Sequence, residues 1–415
     1  METGSEVPID LEPRARRRAM LGIFSSIAVA AIGYIPALSI APLVADALLG
    51  SARWSGLPAA VTIAGAAVGT TLLSRVMARR TRRFGLNLGF AVVSFAAGFA
   101  ACAVAFGSFG WFLVAMALFG GGNGARHLSR YAAGDLYAIE FRGRAIATVV
   151  WAGTIGSVLG PLLLAPSQAL AQSFGADGYV GPYVLAMVAG VVSLLLLVGL
   201  VPHLPKAASR EQAGARTSLP ELLRWPKVWF AFIAMAVGHF VMVLIMSMTA
   251  LHIHAAGGGL RTIGLVFSAH TMGMFGLSPI TGILSDRWGR FPVIVSGQIM
   301  LLVAALMAIP THGSQTPVLM GALFLLGLGW NFGFVAGSTL LTESIAPAHH
   351  LRLQGAADAF TWTVAAASSL LSGFVMTAFG FMALGVLGAV AMSLILVVAI
   401  RNRGALSAPR LPPGS

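Results

Sequence analysis

Charge is scarce in this sequence, and negative charge is scarcest: 9% of residues are charged, with 13 Asp plus Glu against 26 Lys plus Arg, while 57% are hydrophobic. A soluble domain carries roughly 25% charged residues, so this composition excludes a water-exposed fold. Cysteine is nearly absent as well. The single Cys102 excludes an intramolecular disulfide and a thiolate metal cluster, and its place inside an apolar run reads as a small core residue. No Gly-Lys-Ser/Thr loop is available to cradle nucleotide phosphates, which excludes an ATP-driven pump. Nor is any polar stretch long enough to build a soluble catalytic or sensor domain, so an enzyme is not expected.

What the chain has in abundance is apolar runs, and its mean hydropathy is +0.87. Twelve runs, at about 19–41, 54–74, 84–106, 110–134, 145–168, 178–201, 228–250, 260–283, 291–310, 317–342, 354–377 and 379–400, each approach the roughly 20 residues that cross a hydrocarbon core as a helix. Barrel strands would alternate apolar and polar residues in segments of about ten, and that alternation is missing. The expectation is an all-α membrane protein of twelve transmembrane helices. Its first run has a basic flank, yet continues past Tyr34 and Pro36 with no small-residue cleavage site, and reads as an uncleaved first helix.

A net charge of +13 raises the question of nucleic acid, and the positions of the basic residues answer it. With both termini inside, 22 of the 26 Lys and Arg fall in cytoplasmic segments; only Arg53 and Arg261 fall outside, and Arg126 and Arg130 lie in or near the fourth span. The positive-inside rule thus accounts for the charge with a lipid bilayer as partner and no nucleic acid.

The longest polar stretch, His203 to Trp225, divides the chain into expected units of residues 1–202 and 228–415 joined by a cytoplasmic linker at 203–227. Segments repeat across it: Arg75 to Arg80 after the second span matches Asp286 to Phe291 after the eighth at an offset of 211, and Arg142 matches Arg352 at 210. Two parallel six-helix pseudo-repeats imply a central cavity and rocker-switch alternating access. The segment Gly282-Ile-Leu-Ser-Asp286-Arg287-Trp-Gly289-Arg290 resembles the loop signature of the major facilitator superfamily, in which the Asp and Arg form a cytoplasmic latch. In the first half Arg75 stands where that family usually has Asp. Arg142-Gly143-Arg144 and Gly156-x-x-x-Gly160-Pro161 also resemble the superfamily, the latter being frequent in its drug antiporters or, on physical grounds alone, a site of tight helix packing. Gly120 to Gly124, inside an apolar run, likewise reads as close helix packing.

Met and His are concentrated in one place. The window from Met235 to Met274 holds ten of the chain's 26 Met plus His, whereas even spreading would give about 2.5. Residues four apart share a helical face, so Met242-x-x-x-Met246 and His270-x-x-x-Met274 each present two side chains on consecutive, antiparallel spans. Thioether and imidazole donors suit Cu(I), and no carboxylate lies on these stripes to favour Mg, Mn or Ca. Such a pair of Met residues is also ordinary filler in apolar helices. A mid-membrane His is costly and usually faces a pathway. The two motifs together resemble the CcoA-type branch of the superfamily, bacterial inner-membrane importers that supply copper for cytochrome oxidase assembly. That resemblance implies a copper-binding role for Met242, Met246, His270 and Met274, with copper as transported substrate rather than resident cofactor, and a cytoplasmic copper chaperone or oxidase assembly factors as partners.

Other residues have two readings each. Met235 and His239 extend the stripe as relay ligands, while Met248 and Met272 project away from it and read as packing. His252 and His254 read either as periplasmic capture ligands or as solvated loop residues. Asp358 is either a proton-coupling carboxylate or a helix-end partner for Arg352. Arg126 and Arg130, beside Asn123 and Asp135, resemble the arginine-bearing segment of proton-coupled members, or form a structural bridge. Asn123, Trp330 and Asn331 are cavity-lining candidates or, for the Trp, interfacial packing. The reading is a copper importer of the bacterial inner membrane. Its alternatives are a proton-coupled porter of an organic solute or drug, such as a riboflavin-like importer or an efflux antiporter, and a non-transporting membrane sensor or assembly partner.

Overall fold

The computed structural model describes residues 12–134, 136–137, 139–202, 219–311, 315–344 and 350–404, and its regular elements are all helical. The spans are α1 (Pro13–Ser39), α2 (Leu57–Arg79), α3 (Arg82–Ala105), α4 (Phe109–Gly134), α5 (Ile139–Leu159), α6 (Val180–Leu200), α7 (Pro226–Ala255), α8 (Leu260–Thr271), α9 (Arg290–Ala308) and α10 (Thr316–Glu343). The helix His350–Arg401 is broken at Gly380, whose φ of 77° and ψ of 179° only glycine adopts freely, and so yields α11 (350–379) and α12 (381–401). Three spans are composite, α5 among them, which continues through a tight turn, Gly160–Leu163, into Leu164–Ser173. Short helix Ala41–Leu49 continues α1, and α8 runs through a π-helical turn, Met272–Gly276, into Ser278–Trp288 with a bend of 41°. Twelve helical segments therefore stand among the described residues where twelve apolar runs are, with α7 continuing five residues beyond its expected end.

Contacts divide the chain into two units, residues 1–50 with 61–210 and residues 51–60 with 211–415. The second unit thus takes a short segment that the sequence boundaries assigned to the first. Within it Ser369 Oγ of α11 donates to Gly56 O at 3.0 Å, and Arg53 lies 5.3 Å from the Phe374 ring. Residues 203–218 of the expected linker lie outside the described residues.

In lipid there is little hydrophobic force between helices, so close backbone approach has to supply the packing. The first unit achieves this with glycine. A methyl group added at Gly65, Gly69, Gly120 or Gly124 would run into the facing backbone of α2 or α4, and at Gly156 into Ala28 O of α1. The Gly120–Gly124 run and the Gly156-x-x-x-Gly160 motif are therefore helix seams, as read from the sequence. Between the seams, Ile23, Ile27, Leu86, Phe90, Leu128, Val149 and Leu197 form the apolar core. Cys102, expected in the core, is exposed on the outer face of α3. An apolar residue there meets no penalty, because the lipid-facing side of a span is as apolar as its inside.

Candidate functional site

The α7 stripe is oriented by two contacts with α10. A methyl at Gly337 would meet Met235 Cγ and Sδ, and Trp330 Nε1 donates to His239 Nδ1 at 2.8 Å. The two helices run antiparallel, since the partner number falls as the α7 number rises. Met242 and Met246 follow His239 by three and seven residues and so share its face, toward α10. Stepping one residue for one residue along both helices brings Met242 level with Gly327 and Met246 level with Leu323. Met242 is buried and Met246 half-buried.

The second motif addresses the same two positions of α10. His270 Nδ1 donates to Leu323 O at 2.8 Å, and the Met274 side chain passes beside Gly327, where an added methyl would meet its Cγ. His270 and Met274 thus lean on one two-turn stretch of α10, at the depth to which this register brings Met242 and Met246. The His270 bond also determines where its proton is. A main-chain carbonyl oxygen only accepts, so Nδ1 carries the hydrogen and the neutral ring keeps its lone pair on Nε2. That Nε2 is buried and has no hydrogen-bond partner among the described residues. A buried acceptor left unmatched costs about 1–3 kcal/mol, so it is unusual in a packed helix bundle.

Met274 sits within the π-helical turn, a rare geometry that concentrates at functional sites. The turn releases main-chain oxygens that hydrocarbon cannot satisfy. Asn331 of α10 does so instead: its Nδ2 donates to Met274 O and to Ser278 Oγ, each at 2.6 Å, and its Oδ1 accepts from Thr281 Oγ1 at 2.6 Å. Asn331 is buried and its amide is spent on this clasp, so it does not line an open cavity as expected. Ser278 and Thr281 were not singled out by sequence. Pro279, which cannot continue a hydrogen-bonded helix, was the signal for the break. Nothing in the sequence could single out Leu323, which acts through its main chain.

Three other expectations change. His239 accepts the Trp330 N–H on Nδ1, which places its own hydrogen on Nε2 in the neutral ring and leaves no lone pair for a metal. Met235 is buried against Gly337 as packing. His252 belongs to the prolonged end of α7 rather than to a loop; its Nε2 donates to Thr311 O at 3.0 Å and its ring stacks on Phe381 at 4.0 Å. Only His254 is exposed there.

Aromatic rings gather beside His239. Trp330 stacks on Phe334 at 4.9 Å and meets Phe275 edge-on at 6.1 Å, while the His239 ring also meets Trp362 at 5.4 Å. Sequence reasoning named Trp330 alone, because the others come from α8, α10 and α11 at unrelated spacings.

At the start of α9, Arg290 donates to Asp286 Oδ1 at 2.6 Å, to Glu343 Oε1 at 2.9 Å and to Ser285 Oγ at 3.1 Å. The Asp–Arg latch is present, and Glu343 of α10, missed by sequence, completes it. Where the first unit has Arg75 instead of Asp, its guanidinium contacts are different: Arg18 donates to Gly199 O and Arg83 to Val198 O, each at 2.7 Å, capping the last carbonyls of α6. Asp358 lies half-buried in α11, and the Arg352 side chain lies outside the described residues. In α4, Arg126 Nε donates to Asn123 Oδ1 at 2.9 Å and Arg130 is half-buried one turn on; Asp135 lies outside the described residues.

Comparison with known proteins bears on the whole chain. The model of the family described as Major Facilitator Superfamily matches residues 19–260 and 252–413. The uncharacterized MFS-type transporter YdeG of Bacillus subtilis (strain 168) is 31% identical over 381 residues, covering 90% of this chain and 89% of that protein. The riboflavin transporter RfnT of Brucella anthropi is 26% identical, covering 89% of this chain and 92% of that protein. Among solved structures, a bacterial homologue of the human lysosomal transporter Spinster, inward-facing and occupied, superposes with a TM-score of 0.78 at 16% identity, covering 97% of this chain and 100% of that one.

Proposed function

The chain belongs to the major facilitator superfamily and is a secondary transporter of a membrane, and we propose that its cargo is copper, carried as Cu(I). The observation that carries this reading is the buried, unpartnered Nε2 of His270, held as a lone-pair donor by the Nδ1–H bond to Leu323 O. Metal-binding imidazoles are commonly fixed through their other nitrogen in this way. Met274 on the same helix, and Met242 and Met246 at the same level of α10, supply thioethers, which favour Cu(I) over harder cations. A neutral donor set of this kind binds copper without trapping it, as a carrier must. The distribution of basic residues supports both termini on the cytoplasmic side of the membrane, and import across a bacterial inner membrane is proposed from the resemblance of the two motifs to copper importers. Copper released there would pass to a chaperone or to oxidase assembly factors. No step requires enzymatic chemistry.

A second reading is favoured by the rings around Trp330. Stacked and edge-on aromatics suit a flat conjugated solute, and the relative from Brucella anthropi is a riboflavin transporter. Uptake into vesicles reconstituted with the protein separates the readings. Copper accumulation that is lost in His270→Ala and Met242→Ala, with no riboflavin accumulation, supports the first. Riboflavin accumulation without copper supports the second. No transport of either moves the chain toward a sensor or assembly partner.

A further inference from the structure

The first unit contains an arginine, Arg126, with no carboxylate on its own helix. Arg126 lies eight residues before the end of α4, about 12 Å along the axis at 1.5 Å per residue. Neither α4 itself nor α1 (Pro13–Ser39), α2, α3 or α6 contains a single Asp or Glu; Asp46 lies in the short helix that continues α1, and α5 has only Glu140 in its first turn. An intramembrane cation is costly and is normally paired or placed on a pathway. Arg126 has no carboxylate partner among the described residues. Its Nε is held by Asn123 Oδ1 at 2.9 Å, and its guanidinium lies 5.3 Å from the centre of the Tyr34 ring.

These contacts orient the side chain without using its outer nitrogens. Nη1 and Nη2 donate to no described residue, and a methyl at Gly153 of α5 would lie 3.8 Å from Nη1, so the glycine keeps the space beside it open. Tyr34 is fixed from its other neighbour by stacking on Phe119 at 4.8 Å, yet its hydroxyl has no hydrogen-bond partner among the described residues. The Asn123 amide reaches His127 Nε2 only at 3.5 Å, a long contact. Two guanidinium nitrogens and a phenol O–H thus have no acceptor among the described residues, and the Asn123 amide beside them has only the long contact to His127 Nε2.

We propose that this cluster is an oxyanion site, in which Arg126 pairs with a carboxylate or phosphate group and Tyr34 and Asn123 complete its hydrogen bonds. A guanidinium fork matches both groups, and positive charge with neutral donors rejects cations. The inference concerns the first unit alone and goes beyond the copper reading, so each stands or fails separately.

The test is thermal unfolding of the purified full chain in detergent, with sodium acetate, phosphate or benzoate compared with sodium chloride at equal ionic strength. At least one oxyanion is expected to raise the midpoint by about 2–5 °C over chloride. Arg126→Gln should abolish the difference and Tyr34→Phe should reduce it. Arg53→Gln, whose guanidinium lies on the Phe374 ring, should keep it. Comparison with the variants removes the general stabilising effect of phosphate salts. A shift with acetate or phosphate identifies a free ion as the ligand; a shift with benzoate alone identifies an acid group on a larger solute. No oxyanion-specific shift, or one that survives Arg126→Gln, overturns the proposal. Where Arg126→Gln does not fold, an undiminished shift in Tyr34→Phe overturns it.

Discussion

His270 and Leu323 are joined by a 2.8 Å hydrogen bond from an imidazole Nδ1 to a main-chain oxygen of the neighbouring helix, and the opposite nitrogen of the same ring is left buried and unmatched. The pairing converts a side chain that can donate from either nitrogen into one with a single, oriented lone pair. Removing that lone pair is expected to reduce copper uptake at least tenfold in His270→Ala, no less than the loss of an outer-shell partner usually costs. Met272→Ala, two residues away on an exposed face, should leave uptake unchanged at equal protein level.

Trp330 offers a second test, because its N–H occupies the lone pair of His239. Trp330→Phe keeps a ring against Phe334 but removes the donor. Copper uptake is expected to stay within about twofold, since His239 is not a ligand in this arrangement. If a flat solute is the cargo instead, Trp330→Ala should abolish its uptake, which a radiolabelled riboflavin assay reads directly.

The Asn331 clasp makes a prediction about stability. In Asn331→Ala the Met274 carbonyl, Ser278 Oγ and Thr281 Oγ1 lose their shared partner at the helix break. An unfolding free energy lower by about 1–3 kcal/mol is expected, seen as a reduced midpoint in detergent. Because Met274 lies on the same turn, copper binding should weaken in this variant too.

By contrast, the Arg290 latch is exposed, with Asp286 at 71% and Glu343 at 38% side-chain accessibility. Glu343→Gln should therefore change stability by no more than about 1 kcal/mol. The difference from wild type should shrink in 1 M salt, where charges are screened within about 3 Å.

A small seam residue should matter more than this visible ion pair. Gly69→Ala places a methyl against the Gly121 backbone of α4, which cannot rotate away. Destabilisation by about 1–3 kcal/mol is expected, with loss of the monodisperse peak on size-exclusion chromatography.

The spans and their glycine seams were legible because hydropathy and small-residue spacing are local properties, written along one helix at a time. Met242, Met246, His270 and Met274 could be singled out for the same reason, their spacing being written along single helices. What the sequence concealed depends on a second helix: the Leu323 carbonyl has no side-chain signal, Asn331 looked like a cavity residue until the break in α8 was in place, and Glu343 sits 53 residues from the arginine it binds. His239 shows the limit most clearly. Its spacing in the stripe was right for a ligand, but the tautomer imposed by Trp330 is a tertiary fact.

X-ray absorption at the copper edge, on purified protein loaded with one equivalent of Cu(I), tests the convergence of the two motifs most directly. The account expects a shell of sulfur scatterers together with a single imidazole, with the imidazole component lost in His270→Ala and sulfur amplitude reduced in Met242→Ala. A spectrum of oxygen or nitrogen scatterers only, or one that neither substitution alters, would contradict it.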